Sequence, residues 1–372
     1  MIITNAFYTT GRATNIDVPL IALQPSDIDE NQAFGATVRQ TRLGGVVTVS
    51  QVLGGSFIGD LDIDFFGGVQ NGPADRRLFP EPRLRTTTAR LRWSRTELMV
   101  GSDVPLVSRL TPVTVAAIGI PDFSGSGNLW NWLAQIRLSQ DVATSRVART
   151  AVKWAVQGAV MAPFAATPYP GDPDIGDAGE RSGRPAFEGR VSARWGDSTS
   201  AGATDASIGE GGGQIGIGGH YGWVSVGNDD LKVSSAITAD WRISFGPRVE
   251  LRGEWYVGQL LRGLGGGGIG QAFGKPIAPD TQGPVIHDNA GWAQLNAQLL
   301  PTLLGGAGCG LDVVDMADRP VRTRNTVCEA NVLWRPSEPF FVGLEYRGVA
   351  TDYDTGVTGR ARTLNLGIGF EL

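Results

Sequence analysis

The sequence contains no long apolar run. None of its 372 residues lies in an apolar stretch of about 18 residues or more, which a membrane-spanning helix would require. The chain has only two His and two Cys, without the C-x-x-C spacing of zinc and redox sites. So few imidazole and thiol groups predict a protein that binds no metal or cofactor and is not an enzyme.

An excess of basic residues is also missing. The formal net charge is −5 and the pI is about 5.2, and the Lys and Arg residues are scattered, so nucleic-acid binding is disfavoured. A hydrophobic content of 41% with a mean hydropathy of −0.06 suits soluble β-proteins and outer-membrane barrels alike, because half of each barrel strand is polar. The strand pattern has to separate these two classes.

The N terminus carries no visible secretory signal. Met1 is followed at once by the strand-like sequence IITNAFYTT, without a basic region or an apolar region before a cleavage site. Either the chain is given after processing or truncation, or it is not exported. The rest of the sequence favours export, with a cytoplasmic β-protein as the alternative.

The C-terminal residues alternate strictly between apolar and other positions. Leu364, Leu366, Ile368, Phe370 and Leu372 alternate with polar residues or glycine. This period of two places one apolar and one polar face on a strand. The apolar face would be the core of a soluble sandwich, or the lipid-facing surface of an outer-membrane barrel.

About sixteen segments read as strands, and the connections between them alternate between long and short, as in antiparallel outer-membrane barrels. The predicted strands are Ile2–Thr10, Arg42–Val52, Phe57–Gly68, Arg83–Trp93, Glu97–Ser102, Leu129–Ser139, Val147–Val160, Phe187–Trp195, Gln214–Val224, Leu231–Phe245, Val249–Leu261, Ala290–Leu299, Leu304–Asp312, Arg324–Arg335, Phe340–Thr351 and Arg360–Leu372. Two connections break the rhythm: 196–213 is long and Gly/Ser-rich, whereas 225–230 is short.

Charged residues of both signs occupy one face of many strands in succession. In 249–257, for example, Glu250, Arg252 and Glu254 oppose the apolar Leu251 and Trp255. A sandwich of this length would need mostly apolar inner faces, whereas a water-filled barrel interior accepts charge. Several Trp residues share the apolar face, which suits an aromatic girdle at a membrane interface, with core Trp as the alternative. The predicted fold is therefore a transmembrane antiparallel β-barrel, with residues 1–372 as one domain.

Three stretches carry a resemblance to a known family. RLGGVVTVSQVLGGSFIGDLDIDFFGG, RLRTTTARLRW and GNLWNWLAQIRLS follow in this order, and together they resemble the DcaP-like outer-membrane porins. ANVLWRPSEPFFVGLEYR resembles the final hairpins of Gram-negative porins. The resemblance implies a sixteen-stranded trimeric channel for small, often anionic, solutes. The chain lacks the N-terminal coiled coil of some members, and it ends in Leu372 rather than an aromatic residue.

The connection 103–128 is the candidate constriction loop, because it is too apolar to extend into water. It either folds inward to narrow the pore or packs on a neighbouring subunit. The candidate pore-lining residues are Arg42, Asp60, Asp62, Asp64, Arg90, Arg92, Arg109, Arg137, Arg190, Arg194, Arg252, Glu254 and Arg347. An arginine ladder at a constriction would favour anions. Alternatively, these charges pair across strands and only stiffen the barrel.

Cysteine and histidine leave further alternatives open. Cys309 and Cys328 flank one long loop, and they form either a disulfide, as suits an oxidising periplasm, or two lipid-facing thiols. His220 most simply lines the pore; a hydrolase would need it beside Ser192 or Ser234 and Asn289. The run LGGGGIGQAFG matches G-x-G-x-x-G, but without a helical context it reads as a loop.

The sequence thus predicts a Gram-negative outer-membrane porin for passive diffusion of small hydrophilic solutes, with a possible anion preference. Expected partners are the lipid bilayer, lipopolysaccharide, these solutes and two further copies in a homotrimer. A barrel with a plugged lumen that holds a partner protein is the alternative, and an outer-membrane hydrolase is a third reading.

Overall fold

The computed structural model describes residues 1–26, 32–67, 75–147, 150–167, 176–196, 212–278 and 281–371. Seventeen strands form one antiparallel sheet. They are β1 (Ile2–Thr10), β2 (Gln32–Thr37), β3 (Leu43–Val52), β4 (Gly55–Gly67), β5 (Glu81–Arg92), β6 (Thr96–Asp103), β7 (Leu133–Val147), β8 (Thr150–Met161), β9 (Ala186–Trp195), β10 (Gly213–Ser225), β11 (Leu231–Phe245), β12 (Val249–Gln259), β13 (His287–Leu300), β14 (Leu303–Val314), β15 (Arg322–Ser337), β16 (Phe340–Tyr353) and β17 (Thr358–Phe370). The predicted all-β antiparallel fold is confirmed.

Neighbours in the sheet are mostly neighbours in sequence. From β3 to β17 each strand pairs with the next, β17 pairs with β1, and β1 pairs with β2. The ladder therefore has its two ends at β2 and β3. The first and last long strands, β1 and β17, lie side by side over nine residue pairs, from Ile2 with Phe370 to Thr10 with Arg362.

The predicted strand number, about sixteen, was wrong by one. The extra strand is β2, which lies in a stretch predicted to be a link, and residues 38–42 join it to β3 without forming a ladder. These residues bond to strands on both sides instead: Arg42 N donates to Met1 O at 2.9 Å, and Phe65 N donates to Arg39 O at 3.3 Å. β2 was missed because its sequence, QAFGAT, has only one large apolar residue, Phe34.

The two sheet faces have the reverse of a soluble protein's burial pattern. On β11, Ile237 is 60% exposed while Asp240 is 3% exposed. On β12, Trp255 is 39% exposed and Glu254 is 3% exposed. The polar face is the inner one, and apolar side chains cover the outer face, as the alternation predicted.

Helices are few and short within the described ranges. They are α1 (Asp75–Leu78), α2 (Gly267–Gly270) and three 3₁₀ turns at Glu180–Ser182, Arg262–Leu264 and Met316–Asp318. In the part of the chain that the structure describes, no helix has the length and apolar character needed to cross a membrane.

Three connections lie against the inner face of the sheet. We name them the N-terminal segment (11–26), the central segment (104–132) and the glycine-rich segment (260–278). Their apolar residues form the buried clusters of the molecule: Leu106, Leu129, Leu261 and Leu264 share one cluster with strand residues such as Tyr256. The core is therefore made between the sheet and these inward segments.

Candidate functional site

The central segment is buried although it has no regular secondary structure. Most of its side chains are less than a tenth exposed, and Leu106 is fully buried. Its backbone N–H groups, which cannot be left unpaired away from water, bond to polar side chains of the sheet. Leu106 N donates to Glu188 Oε2 at 2.6 Å, and Leu110 N donates to Glu254 Oε1 at 2.7 Å. Wall carboxylates thus hold this segment in place.

Glu345 is the densest of these anchoring points. Its Oε2 accepts from Thr114 Oγ1 at 2.6 Å, from Val115 N at 2.8 Å and from Ala116 N at 3.2 Å. One carboxylate oxygen thus accepts three hydrogen bonds from consecutive residues, and these bonds hold this part of the central segment against β16. Charge-assisted hydrogen bonds of this kind are stronger than neutral ones.

Glycine in the wall allows the close approach at this point. A Cβ on Gly343 would lie 2.5 Å from Val115 Cγ1, and one on Gly367 would lie 2.6 Å from the same atom. Neither distance is compatible with a side chain. The inner face of β16 and β17 therefore has glycine at the positions against which Val115 packs.

The N-terminal segment lies on β15 to β17. Asp17 forms a bidentate ion pair with Arg39, with the shorter contact at 2.6 Å. Ala22 N donates to Thr351 Oγ1 at 2.9 Å, and Asn325 Nδ2 donates to Leu20 O at 2.9 Å.

The glycine-rich and central segments bond to each other. Asn131 N donates to Leu264 O at 3.0 Å, and Ser124 Oγ donates to Gly265 O at 3.1 Å. These contacts join two of the inward segments into one packed unit on the side of the sheet with long connections.

Asp122 of the central segment lies beside the carboxylate of Glu345 and bonds to the guanidinium of Arg347. Burial raises the pKa of Asp122 to about 7, although the Arg347 charge acts against this shift. Asp122 lies outside the strands, and its carboxyl group can therefore change charge near neutral pH.

A cavity of about 560 Å³ remains between the central segment and the short-turn end of the sheet. The turn 93–96 forms its mouth, and Arg109 and Leu110 of the central segment line its inner end. Its basic residues are Arg90, Arg92, Arg95, Arg109, Arg137, Arg190, Arg194 and Arg242. Its acidic residues are Glu97, Asp103 and Asp141. Positive charge therefore predominates on the cavity wall.

Asp103 is shared by three of the cavity arginines. Its Oδ2 lies 2.9 Å from Arg137 Nη1, 3.4 Å from Arg109 Nη1 and 3.8 Å from Arg90 Nη2. Arg90 also pairs with Asp60, at 3.3 Å, so these three guanidinium groups share two carboxylates. The surplus charge lies where the central segment leaves β6.

Other cavity arginines have their own partners. Arg190 forms a bidentate pair with Asp240, at 2.7 and 2.8 Å, and Arg194 reaches Asp141 at 3.3 Å. Arg242 pairs with Glu250. Cross-strand pairing, the alternative weighed for the sequence, is thus present together with the arginine-rich lining.

The predicted pore-lining residues fall into two groups. Six line the cavity: Arg90, Arg92, Arg109, Arg137, Arg190 and Arg194. The other seven do not line it: Arg42, Asp60, Asp62, Asp64, Arg252, Glu254 and Arg347. Of these, Glu254 binds the central segment, and Arg252 Nη1 donates to Thr111 O at 2.9 Å. Arg347 bonds to Asp122 of the same segment, so these three residues hold the inward segment, which covers them. Asp60 instead pairs with Arg90, at 3.3 Å.

Arg42, Asp62 and Asp64 form a network beneath the central segment. Arg42 pairs with Asp62 at 2.6 Å, and Asp64 pairs with Arg83 at 2.6 Å and with Arg85 at 3.2 Å. Arg83 also donates to Gly119 O at 2.7 Å. This network anchors the far end of the central segment.

Two cavity arginines were absent from the predicted set. Arg242 is two residues from Asp240 in β11 and lies on the same inner face. The alternation of this strand would have identified Arg242 as an inward residue. Arg95 lies in the turn after β5, where no periodicity applies, and it donates to Asp141 O at 3.0 Å. Its side chain had no sequence signal.

Cys309 and Cys328 form a disulfide between directly paired residues of β14 and β15, with Cα atoms 4.1 Å apart. This geometry corresponds to the disulfide alternative for the pair. The disulfide lies on the outward-facing side of the two strands.

His220 lies beside only one of the three residues that the hydrolase alternative required, Ser234. Asn289 is on the outer face, where its Oδ1 accepts from Trp255 Nε1 at 2.8 Å, and Ser192 lines the cavity. Ser234 Oγ does lie 3.2 Å from His220 Nε2, but it donates to Leu260 O at 3.0 Å. A serine hydroxyl bound in this way is not poised as a nucleophile.

Solved structures were compared with the whole chain. The outer-membrane channel DcaP of Acinetobacter baumannii matches with a TM-score of 0.70 at 13% identity, over 100% of this chain and 95% of the channel. The chain has the fold of the outer-membrane porins. An anion-selective porin from Comamonas acidovorans matches with a TM-score of 0.54 at 13% identity, over 99% and 96%. OprB of Pseudomonas putida also matches with a TM-score of 0.54 at 11% identity, over 99% of this chain and 92% of OprB.

The fold expected from the DcaP-like resemblance is therefore confirmed. At such low identity, the likeness concerns the fold alone. No protein-family model matches the sequence, and no curated protein sequence matches it.

Proposed function

We propose that the protein is a single-domain transmembrane β-barrel of the Gram-negative outer membrane, which lets small hydrophilic solutes diffuse passively. The observation that carries the proposal is the reversed burial of the strands. Ile237 and Val257 face outward while Asp240 and Glu254 are buried. An apolar outer face on so many strands is unfavourable in water and suits hydrocarbon.

The channel would favour anions. The support for this preference is the cavity, in which eight arginines accompany three carboxylates. Arginine keeps its charge at any physiological pH and presents a planar fork to carboxylates and phosphates. Solutes that carry such groups are the class expected to concentrate in the cavity.

The central segment would set the narrowest point. Its Arg109 and Leu110 line the cavity, so a solute that crosses from the short-turn end has to pass them. Because wall carboxylates bond its backbone, the segment is a fixed constriction and not a free flap.

A homotrimer embedded in lipid and lipopolysaccharide completes the proposal. β3 supports an interface between copies, because its outward residues are short: Gly45, Val47 and Val49 share the outer face, with Val47 62% and Val49 45% exposed. A flat apolar strand of this kind can pack against a second copy. Cross-linking of the native membrane form would test the trimer.

The experiment that tests the channel is single-channel conductance of the refolded protein in a planar bilayer. A salt gradient across the bilayer then reports ion preference through the reversal potential. Stable conductance steps with an anion-biased potential are expected. Heat-modifiable, correctly folded protein that never conducts would contradict the proposal.

The second candidate function is a barrel whose lumen is plugged and whose loops hold a partner protein. Its support is the packing of the three inward segments, since Asn131 bonds to Leu264, and Asn325 Nδ2 donates both to Leu20 O and to Gly125 O. The absence of conductance, together with capture of a partner by the long connections, would favour this function.

A further inference from the structure

A continuous chain of four hydrogen bonds links the central segment to the glycine-rich segment. Leu106 N donates to Glu188 Oε2 at 2.6 Å, and Glu188 Oε1 lies 3.1 Å from His220 Nδ1. His220 Nε2 lies 3.2 Å from Ser234 Oγ, which donates to Leu260 O at 3.0 Å. The chain crosses β9, β10 and β11, and its three side chains are all less than a tenth exposed.

Both ends of this chain have a fixed direction. A backbone N–H at Leu106 can only donate, and a backbone carbonyl at Leu260 can only accept. With Ser234 donating to Leu260 O, the serine oxygen must accept from His220 Nε2–H. All four bonds then form only if one more proton lies between His220 Nδ1 and Glu188 Oε1.

Loss of that proton breaks one bond, whichever tautomer results. If the remaining proton is on Nδ1, it stays bonded to the Glu188 carboxylate, and Nε2 becomes an acceptor. Ser234 must then donate to His220 and releases Leu260 O. The charge-assisted bond to Glu188 favours this arrangement, so the link to the glycine-rich segment is the one lost.

We propose that His220 is a protonation-dependent latch that positions the central and glycine-rich segments relative to each other. With the extra proton, the latch is closed and both segments are held. Without it, Leu260 is released and the glycine-rich segment loosens. Because a rise in pH favours loss of the proton, the latch is expected to open at the higher pH.

Other charged groups surround the latch. From β7, Arg137 presents its positive charge to Glu188, and Asp103 at the end of β6 compensates it. Arg190 lies one inward position along β9, but Asp240 of β11 pairs with it. Each of these neighbours already belongs to another ion pair. Of the groups named here, His220 is therefore the one that pairs with Glu188.

Additional groups lie on the inward segments. Arg109 of the central segment is engaged with Asp103. Arg262 follows Leu260 in the glycine-rich segment, and burial lowers its pKa. Burial raises the pKa of Asp122 to about 7, so the response of Asp122 must be separated from that of His220 by experiment.

The effect of the latch on conductance rests on the proposed channel function. The structural part of the latch stands independently, because Leu260 begins a segment that is bonded to the central segment at Asn131. Two readouts are therefore needed: channel opening and local backbone protection.

The test compares the wild type with His220→Gln and Ser234→Ala, and uses His287→Gln as the matched control. His287 is the other histidine; it is about half exposed and pairs with Asp318. The first readout is the open-to-closed ratio of single channels at about pH 5 and about pH 8. Amide hydrogen exchange across residues 260–270, corrected for the intrinsic pH dependence of exchange, is the second.

In the wild type and in His287→Gln, both readouts are expected to change by about 2- to 10-fold towards the open state at the higher pH, as loss of one neutral hydrogen bond allows. In His220→Gln and Ser234→Ala this change should be absent. A full pH response that persists in His220→Gln would assign it to other carboxyl groups, such as Asp122, or Asp288 and Asp312, which accept from Gly268 N and Ile269 N, and would overturn the latch. So would unchanged exchange in the wild type.

The two failures are distinguishable. Folded protein that never conducts, but whose exchange still responds to pH through His220, would sink the channel and leave the latch. A conducting channel whose amide exchange does not depend on pH would overturn the latch and leave the channel.

Discussion

Arg137 Nη1 donates to Asp103 Oδ2 at 2.9 Å, at the point where the chain leaves β6 for the central segment. Arg137 Nη2 also donates to Val104 O at 2.7 Å. One buried arginine thus fixes both the last residue of the strand and the first residue of the segment. Because Arg109 and Arg90 approach the same carboxylate, the anchor of the segment is also the most positive part of the cavity.

Replacing Arg109 and Arg90 by Gln should reduce anion preference. Both side chains line the cavity and are about a quarter exposed, so their removal lowers the positive potential that solutes meet while Arg137 keeps its bond to Asp103. The measurement is the reversal potential in a KCl gradient, which should move towards the cation side. Arg335→Gln removes one positive charge from a residue outside the cavity lining, which pairs with Glu371; it is the control for each single replacement and should leave the potential unchanged. Equal shifts in both variants would contradict a local effect.

The sequence predicted the strands well where alternation was regular. Residues Leu231–Phe245 were expected as one strand and form β11 with the same bounds, because polar and apolar positions alternate up to a tight turn. β2 was missed because Phe34 is its only large outward residue. Which face is inner followed from charge alone, since a row such as Glu250, Arg252 and Glu254 cannot face lipid.

What each inward residue contacts was not predictable in the same way. Glu254 and Arg190 have the same inward parity, yet one holds the central segment and the other lies on the cavity wall. The difference depends on the path of residues 104–132, which have no periodicity and whose backbone bonds go to side chains distant in sequence. Glu345 is more than 200 residues from Val115, to which it binds.

An arginine on the outer face should distinguish a lipid-facing sheet from one in water. Ile237 lies in the middle of β11 and Phe245 at its end, with 60% and 57% exposure. In a membrane, Ile237→Arg should cost about 2–4 kcal/mol and Phe245→Arg at most about 1 kcal/mol, because the penalty depends on depth. Equilibrium folding into lipid vesicles measures both. Equal, small effects at the two positions would indicate a water-exposed face.

Removal of the Cys309–Cys328 disulfide should lower stability without changing the fold. The two cysteines are 19 residues apart in the sequence, and for a loop of this length the chain-entropy model gives a contribution of about 3 kcal/mol. The ladder between β14 and β15 extends well beyond the bond on both sides, and it should persist in Cys309→Ala/Cys328→Ala. Heat-modifiability on gels should show unfolding at a lower temperature with unchanged conductance. A change in conductance would mean that the disulfide shapes the lumen.

Glu345→Leu should release the central segment from the wall. The substitution leaves the N–H groups of Val115 and Ala116 and the hydroxyl of Thr114 without their acceptor, and each unsatisfied buried group costs about 1–3 kcal/mol. Movement of the segment into the lumen water would satisfy them, and single-channel recordings should therefore show larger and noisier conductance. Glu345→Gln keeps one acceptor oxygen of similar size and should stay close to the wild type. If Glu345→Leu conducts like the wild type, the constriction does not depend on this anchor, and the position of the segment must instead come from its apolar packing around Val115 against Gly343 and Gly367.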